Sequence, residues 1–171
     1  MKSFYGNRRS VRLIGYDYSQ KGMYFLTICA KERQTWFGKI IGGIMEINDL
    51  GKKVLSIWNE LPQRFAVKTD VSQIMPNHFH AILFVKELFQ VPKPIAAHRS
   101  AQLRRQPRSL GAIVAGFKSA ASRAARQSLW QRNYYDRIIR DEEELNRIRN
   151  YIIYNPIMLS ESRKEIWKHA K

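Results

Sequence analysis

Met75-Pro76-Asn77-His78-Phe79-His80-Ala81-Ile82-Leu83-Phe84-Val85 is the stretch around which this chain is organised. After Pro76 it is bulky and β-branched, with no helix-period polar face, and it predicts a strand. Proline is tolerated at a strand's entry, and Asn77 favours a turn into it. Residues two apart on a strand share a face, about 7 Å apart. His78 and His80 therefore project side by side, while Phe79 points to the opposite face and into a core. Two adjacent imidazoles can chelate a divalent metal. Taken alone, a His-x-His pair is more often a half-buried, hydrogen-bonded pair than a metal site.

A strand of this kind needs a sheet, and the flanking sequence supplies one. Gly22 opens Met23 to Ala30, apolar and long enough for a central strand. Trp36 to Ile41 and Ile44 to Ile47, joined by Gly42-Gly43, continue it as a meander of short antiparallel strands. Val67 to Ile74 leads into the histidine strand. Helices alternate with these. Asn48 or Asp49 caps one that places Leu50, Val54, Leu55, Trp58 and Leu61 on a single stripe before Pro62. Ser109 caps another, with Ile113, Val114, Phe117, Ala120 and Ala121 inward and Lys118, Arg123 and Arg126 outward. Leu129 to Asn133 bridges into Tyr134 to Arg140, which alternates like a strand. Strands and helices so mixed predict an α+β domain.

The 171 residues suit one domain with a substantial core, spanning 1–171. A single cysteine, Cys29, forms no internal disulfide and fits a reducing compartment. No apolar run approaches the roughly 20 residues of a membrane span, and the N-terminus has no signal-peptide core. The expected address is the cytoplasm. Charge narrows the partner: 30 Lys and Arg against 14 Asp and Glu give a formal +16, a surplus that repels itself unless a polyanion offsets it. Nucleic acid is the first expectation. A basic arm over 1–19 carries Arg8, Arg9 and Arg12. A proline- and arginine-rich loop over 87–108 has no periodicity and is expected to be a mobile contact. The outer cations Lys118, Arg123 and Arg126, with Gln131, Arg132, Arg137 and Arg140 further on, are candidate DNA contacts. Aromatics among these arginines could stack on bases or simply pack on the sheet.

The last helix supplies the chemistry. Asp141 and Glu144 resemble a capping box, with Glu142 and Glu143 at the positive end of the helix dipole. The helix is expected to end near Asn155, because Pro156 cannot continue it without a kink, leaving 157–171 as a tail. Leu145, Ile148 and Ile152 form its buried stripe at about 100° per residue. Tyr151 and Asn155, four apart, stack on the flank of that stripe and could meet His78 and His80. Two imidazoles and an amide oxygen leave a divalent ion open positions for a phosphate. A tyrosine one turn from a ligand could attack that phosphate and hold a DNA end as a phosphotyrosine. Phenols ionise near pH 10, so the group needs help losing its proton. Exchange of one phosphoester for another conserves bond energy, and no phosphate-cradling glycine loop is present.

MPNHFHAILFV, WQRNYYDRIIR and YIIYNP, in this order, together with RSVRLIGYDYSQKGMYFLTI near the start, resemble the HUH single-tyrosine transposases, most closely the REP-associated tyrosine transposases. The resemblance implies a ferredoxin-like α+β fold, a central antiparallel sheet with flanking helices. It implies His78, His80 and Asn155 as metal ligands for Mg or Mn, and Tyr151 as the nucleophile that forms a 5′-phosphotyrosine and frees a 3′-OH. Its implied substrate is single-stranded DNA beside hairpins, REP-like palindromes, cut by a monomer or a homodimer. Two other readings remain: a non-catalytic domain binding single-stranded DNA or RNA, and a related HUH replication or conjugation nuclease.

Overall fold

The computed structural model describes residues 18, 20–86 and 109–169, with side chains through Ser160. The arm with Arg8, Arg9 and Arg12 and the loop 87–108 lie outside the described residues. Along the chain come β1 (Gly22–Cys29), a single 3₁₀ turn (Lys31–Arg33), β2 (Gly38–Ile41), β3 (Ile44–Ile47), α1 (Asp49–Asn59), α2 (Leu61–Arg64), β4 (Val67–Met75), β5 (His78–Val85), α3 (Leu110–Ala124), β6 (Tyr135–Ile139) and α4 (Glu142–His169). The main sheet has the order β4-β5-β1-β6, with every neighbouring pair antiparallel. This is the ferredoxin-like α+β arrangement, with β2 and β3 inserted after its first strand.

The two faces of β5 take different partners. Phe79, Ala81, Leu83 and Val85 face the main core with Tyr24, Leu26 and Ile28 of β1. There α1 contributes Val54 and Trp58, and α3 contributes Ile113, Val114, Phe117 and Ala121. Trp58 lies edge-on to both Phe79 and Phe117, at 5.0 and 5.1 Å. On the second face, Ile82 and Ile139 pack with Leu145 and Ile152 of α4, flanked by Met23, Phe25, Val71, Phe84 and Ile148. Ferredoxin-like sheets carry their two crossover helices on one face; here α4 covers the other.

Capping follows the sequence. Asn48 Oδ1 accepts from the Gly51 amide at 2.9 Å, and Ser109 Oγ accepts from the Ala112 amide at 3.3 Å. Gly51 belongs in a helical first turn for a packing reason: a Cβ there would stand 2.6 Å from the Phe37 carbonyl oxygen and 2.4 Å from Ile47 Cγ2. Helix and hairpin could not then approach so closely.

Three expectations need correction. The meander does not form: β2 and β3 pair only with each other in a separate two-stranded sheet. Both edges of β1 are taken by β5 and β6, so β1 offers β2 no backbone to bond. Gly42 and Gly43, at φ 57° and 83°, instead reverse the hairpin in the mirror-image turn whose twist matches its strands. Pro62 does not merely stop a helix; it sits in the first turn of α2, where no amide donor is needed. Finally, α4 does not end near Asn155. It continues through Pro156 to His169, so 157–169 is helical, not a tail. An internal proline removes one helical hydrogen bond, but the turn of α4 just beyond it lies against the β2–β3 turn: a Cβ on Gly43 would be 3.3 Å from Ile157 Cγ1 and 3.5 Å from Ser160 Oγ. That tertiary contact outweighs the local preference. Among the described residues no helix is long and apolar enough to cross a membrane.

Candidate active site

The second sheet face carries the candidate site. Register places His80 opposite Thr27 and His78 opposite Cys29, so both imidazoles emerge beside β1 under α4. Their ring centroids are 4.5 Å apart, and Nε2 of His78 lies 3.1 Å from Nε2 of His80. The other ring nitrogens are engaged. His78 Nδ1 donates to Asn77 Oδ1 at 2.7 Å, and His80 Nδ1 meets Thr27 Oγ1 at 2.9 Å. Such partners fix ring orientation and aim the remaining nitrogens at a common point. The ring of Phe25 stacks on His80 at 5.3 Å.

Burial sets the protonation of this pair. Desolvation, aided by the nearby charge of Arg33, pushes His78 down to about 4. Desolvation, aided by His78, pushes His80 down to about 3. Both rings are therefore neutral at physiological pH, the form that binds metals.

Helix α4 is fastened across this face at both sides of the sheet. On β6, the Glu144 carboxylate takes the Arg140 amide at 3.0 Å and Arg137 Nη2 at 2.6 Å. The Arg140 amide first, then Arg137, holds the Glu144 carboxyl below its usual range. Asp141 Oδ1 accepts from the Glu144 amide at 2.7 Å, completing the expected cap from one side. On β4, Asp70 grips Arg149 through two contacts, 2.6 Å to Nη2 and 3.3 Å to Nε. Two residues beyond Arg149, the Tyr151 ring lies 5.4 Å from the His80 ring and 6.0 Å edge-on to Phe25. It is 44% exposed, so a substrate can reach it.

Asn155 follows one turn later on the same flank and is buried, 6% exposed. Its Oδ1 has no hydrogen-bond partner among the described residues. A buried amide oxygen without a donor is costly, and the same oxygen is a good ligand for a hard divalent cation. The Nε2–Nε2 separation fits as well. Two nitrogens each about 2.1 Å from one ion, at roughly a right angle, lie about 3 Å apart. The paired Nε2 atoms and the orphaned Asn155 Oδ1 are donors of the kind a divalent metal takes. Among the described residues no group of three His, Cys, Asp or Glu could hold one.

The expected DNA contacts divide by surface. Helix α3 lies on the face opposite the histidines, and Arg123 and Arg126 are exposed there, away from Tyr151. Arg123 donates to Ser119 Oγ at 2.7 Å. The Lys118 ammonium is turned to the backbone carbonyls of Gln131, Arg132 and Asn133, and the Gln131 amide bonds the Cys29 carbonyl at 3.0 Å. Arg132, Arg137 and Arg140 are exposed along and beside β6. Sequence reasoning missed Thr27, which only the strand register brings to His80, and the second role of Asn77, whose side chain turns to the ring of its own neighbour. It also missed Arg33, which two consecutive left-handed residues, Glu32 and Arg33 at φ 53° and 55°, bring near His78. Such backbone costs energy in non-glycine residues and is often found at functional sites.

No protein-family model matches the chain. An uncharacterized protein of Haemophilus influenzae strain Rd is 40% identical over 162 residues, covering 89% of each chain, and the two belong to one family. A second protein of that strain, named "Putative REP-associated tyrosine transposase", is 25% identical over 141 residues, covering 82% of this chain and 73% of that one. Among solved structures, a REP-associated tyrosine transposase bound to a REP hairpin matches with a TM-score of 0.61 at 13% identity, covering 88% of this chain and 74% of that one. The fold is shared with that protein.

Proposed function

We propose that this chain, a relative of the REP-associated tyrosine transposases, cuts and rejoins single-stranded DNA beside hairpins, with Tyr151 as nucleophile. The observation that carries this reading is the Tyr151 ring at 5.4 Å from His80, delivered by a helix pinned on both sides of the sheet. His78, His80 and Asn155 would hold a divalent ion, Mg or Mn. When bound, it neutralises charge on the scissile phosphate as the transition state forms.

The residues of the chain do the rest. Asn77 and Thr27 orient the imidazoles, and the Asp70–Arg149 and Arg137–Glu144 pairs hold α4 so that the phenol faces the phosphate. The Tyr151 oxygen bonds to phosphorus as the bond from phosphorus to the 3′ oxygen breaks. The phenol proton is lost, the departing 3′ oxygen gains one, and a 5′-phosphotyrosine remains. Attack by another 3′-OH reverses the exchange and rejoins a strand. The reading takes the histidines and the tyrosine from one chain, where the rings of His80 and Tyr151 lie 5.4 Å apart. The +16 charge supplies affinity for the polyanion.

Incubation with Mn and a pool of single-stranded hairpins should give a protein–DNA adduct that survives a denaturing gel. Tyr151→Phe should bind equally well and give none. An adduct that persists in this variant would move the nucleophile elsewhere and overturn the assignment.

A further inference from the structure

The register that sets His80 opposite Thr27 also sets Thr27 opposite Tyr135. Directly opposed residues of antiparallel strands share a face, so His80, Thr27 and Tyr135 form one row across β5, β1 and β6. At about 4.8 Å per strand, Tyr135 stands about 10 Å from His80. Its neighbour Tyr134 takes the other face and packs against the main core.

Helix α4 leaves this end of the row open. It meets β6 further along, where Glu144 binds Arg137, and then crosses toward β4, where Arg149 meets Asp70. Tyr135 is 43% exposed, a large ring on an edge strand, on the face that carries the site. Arg132 and Arg140 are exposed on either side of it, while Arg137 is held by Glu144.

We propose that Tyr135 is a stacking platform for the base of the nucleotide next to the phosphate held at the histidines. The inference rests on the function proposed above and deepens it by adding a base subsite. A neutral aromatic face next to cations suits a nucleotide: ring for base, guanidinium for phosphate. Bases inside a duplex are stacked on each other and cannot reach such a platform, so the subsite requires an unpaired nucleotide beside the cut. Stacking tolerates any base, so Tyr135 places the strand without reading its sequence.

The test uses the full chain and a short oligothymidylate carrying one 5-iodouracil, irradiated and then digested for mass spectrometry. The crosslink should fall on the peptide carrying Tyr135 and persist in Tyr135→Phe. Tyr135→Ala and Tyr135→Leu should lose it and bind the strand about tenfold more weakly. That factor should hold at low and high salt, since no phosphate contact is removed. A crosslink only elsewhere, or both variants binding within about twofold of the parent chain, overturns the platform. Adduct formation on hairpin strands, run in parallel, separates the two readings. A chain that makes the adduct while Tyr135→Ala loses nothing refutes the platform alone; one that crosslinks at Tyr135 but never makes an adduct refutes the cleavage alone.

Discussion

Replacing Asn155 with leucine should stabilise the protein without metal and sharply reduce its response to metal. The buried Oδ1 of Asn155 has no partner among the described residues, and an unsatisfied buried acceptor costs about 1–3 kcal/mol. Leucine has nearly the same shape and removes that cost, though the amide nitrogen's interactions go with it. A net gain of about 1 kcal/mol raises Tm by about 2–4 °C in a chain of this size. The parent chain should gain about 2.7 kcal/mol from an ion at about 100 times its Kd, or roughly 5–10 °C. The leucine variant, with two ligands in place of three, should gain far less. Melting curves after chelation, with and without Mn or Mg, should therefore cross: the variant more stable when stripped, the parent more stable when loaded. If the stripped variant melts several degrees below the parent and both respond equally to metal, Asn155 is a structural amide and the reasoning fails.

Asp70→Asn removes the carboxylate that pins α4 near Tyr151. Its partner Arg149 has a side chain 31% exposed, so solvent screening limits the loss to about 1 kcal/mol at neutral pH, roughly 2–4 °C. Arg149 holds the Asp70 carboxyl below its usual range, first by hydrogen bonding. The contribution is therefore present above the unfolded-state value near 4 and fades as pH falls through the lower folded value. Melts across acid pH should show the gap between parent and variant closing; a gap of constant size would assign the effect to packing. Thr27→Val removes the hydroxyl on His80 Nδ1 and should weaken metal binding about 10–100-fold, while the stripped chain loses about 1–3 kcal/mol because the buried nitrogen loses its partner. Titration with Mn, followed by the melting shift, measures this, and unchanged affinity would show that the hydroxyl does not orient the ring.

What the sequence revealed about the site was what periodicity can carry. Alternation along β5 separates Phe79 from the histidines, and four-residue spacing puts Asn155 behind Tyr151; both are local facts. The residues that make these groups work lie elsewhere in sequence and enter by pairing. Thr27 reaches His80 because β1 and β5 adopt one particular register. Asp70 reaches Arg149 because the β4 pairing shifts between Thr69 and Ser72, next to that aspartate. The helix beyond Pro156 was hidden for the same reason. A local rule forbids it, and a contact with Gly43, more than a hundred residues away in sequence, permits it.

The competing picture, a basic domain that binds nucleic acid without cutting it, has to account for two neutral imidazoles facing each other. It can do so for the histidines alone. A threonine hydroxyl both donates and accepts, so Thr27 can donate to His80 Nδ1 while His80 Nε2–H donates to His78 Nε2, 3.1 Å away. Every ring nitrogen is then satisfied. The same hydroxyl can turn, accept from Nδ1–H, and leave both Nε2 lone pairs for an ion, so the pair accommodates either state at the cost of one displaced proton. A structural pair explains that much and stops at Asn155. Nothing in a binding domain requires a helix to bury an amide oxygen with no donor, one turn beyond an exposed tyrosine held against the same histidine. A metal ligand would account for the missing donor, because an ion would take the lone pair that no N–H or O–H reaches. On the proposed reading the unpaired oxygen is where the two pictures differ, and the melting curves of the Asn155→Leu variant with and without metal decide between them.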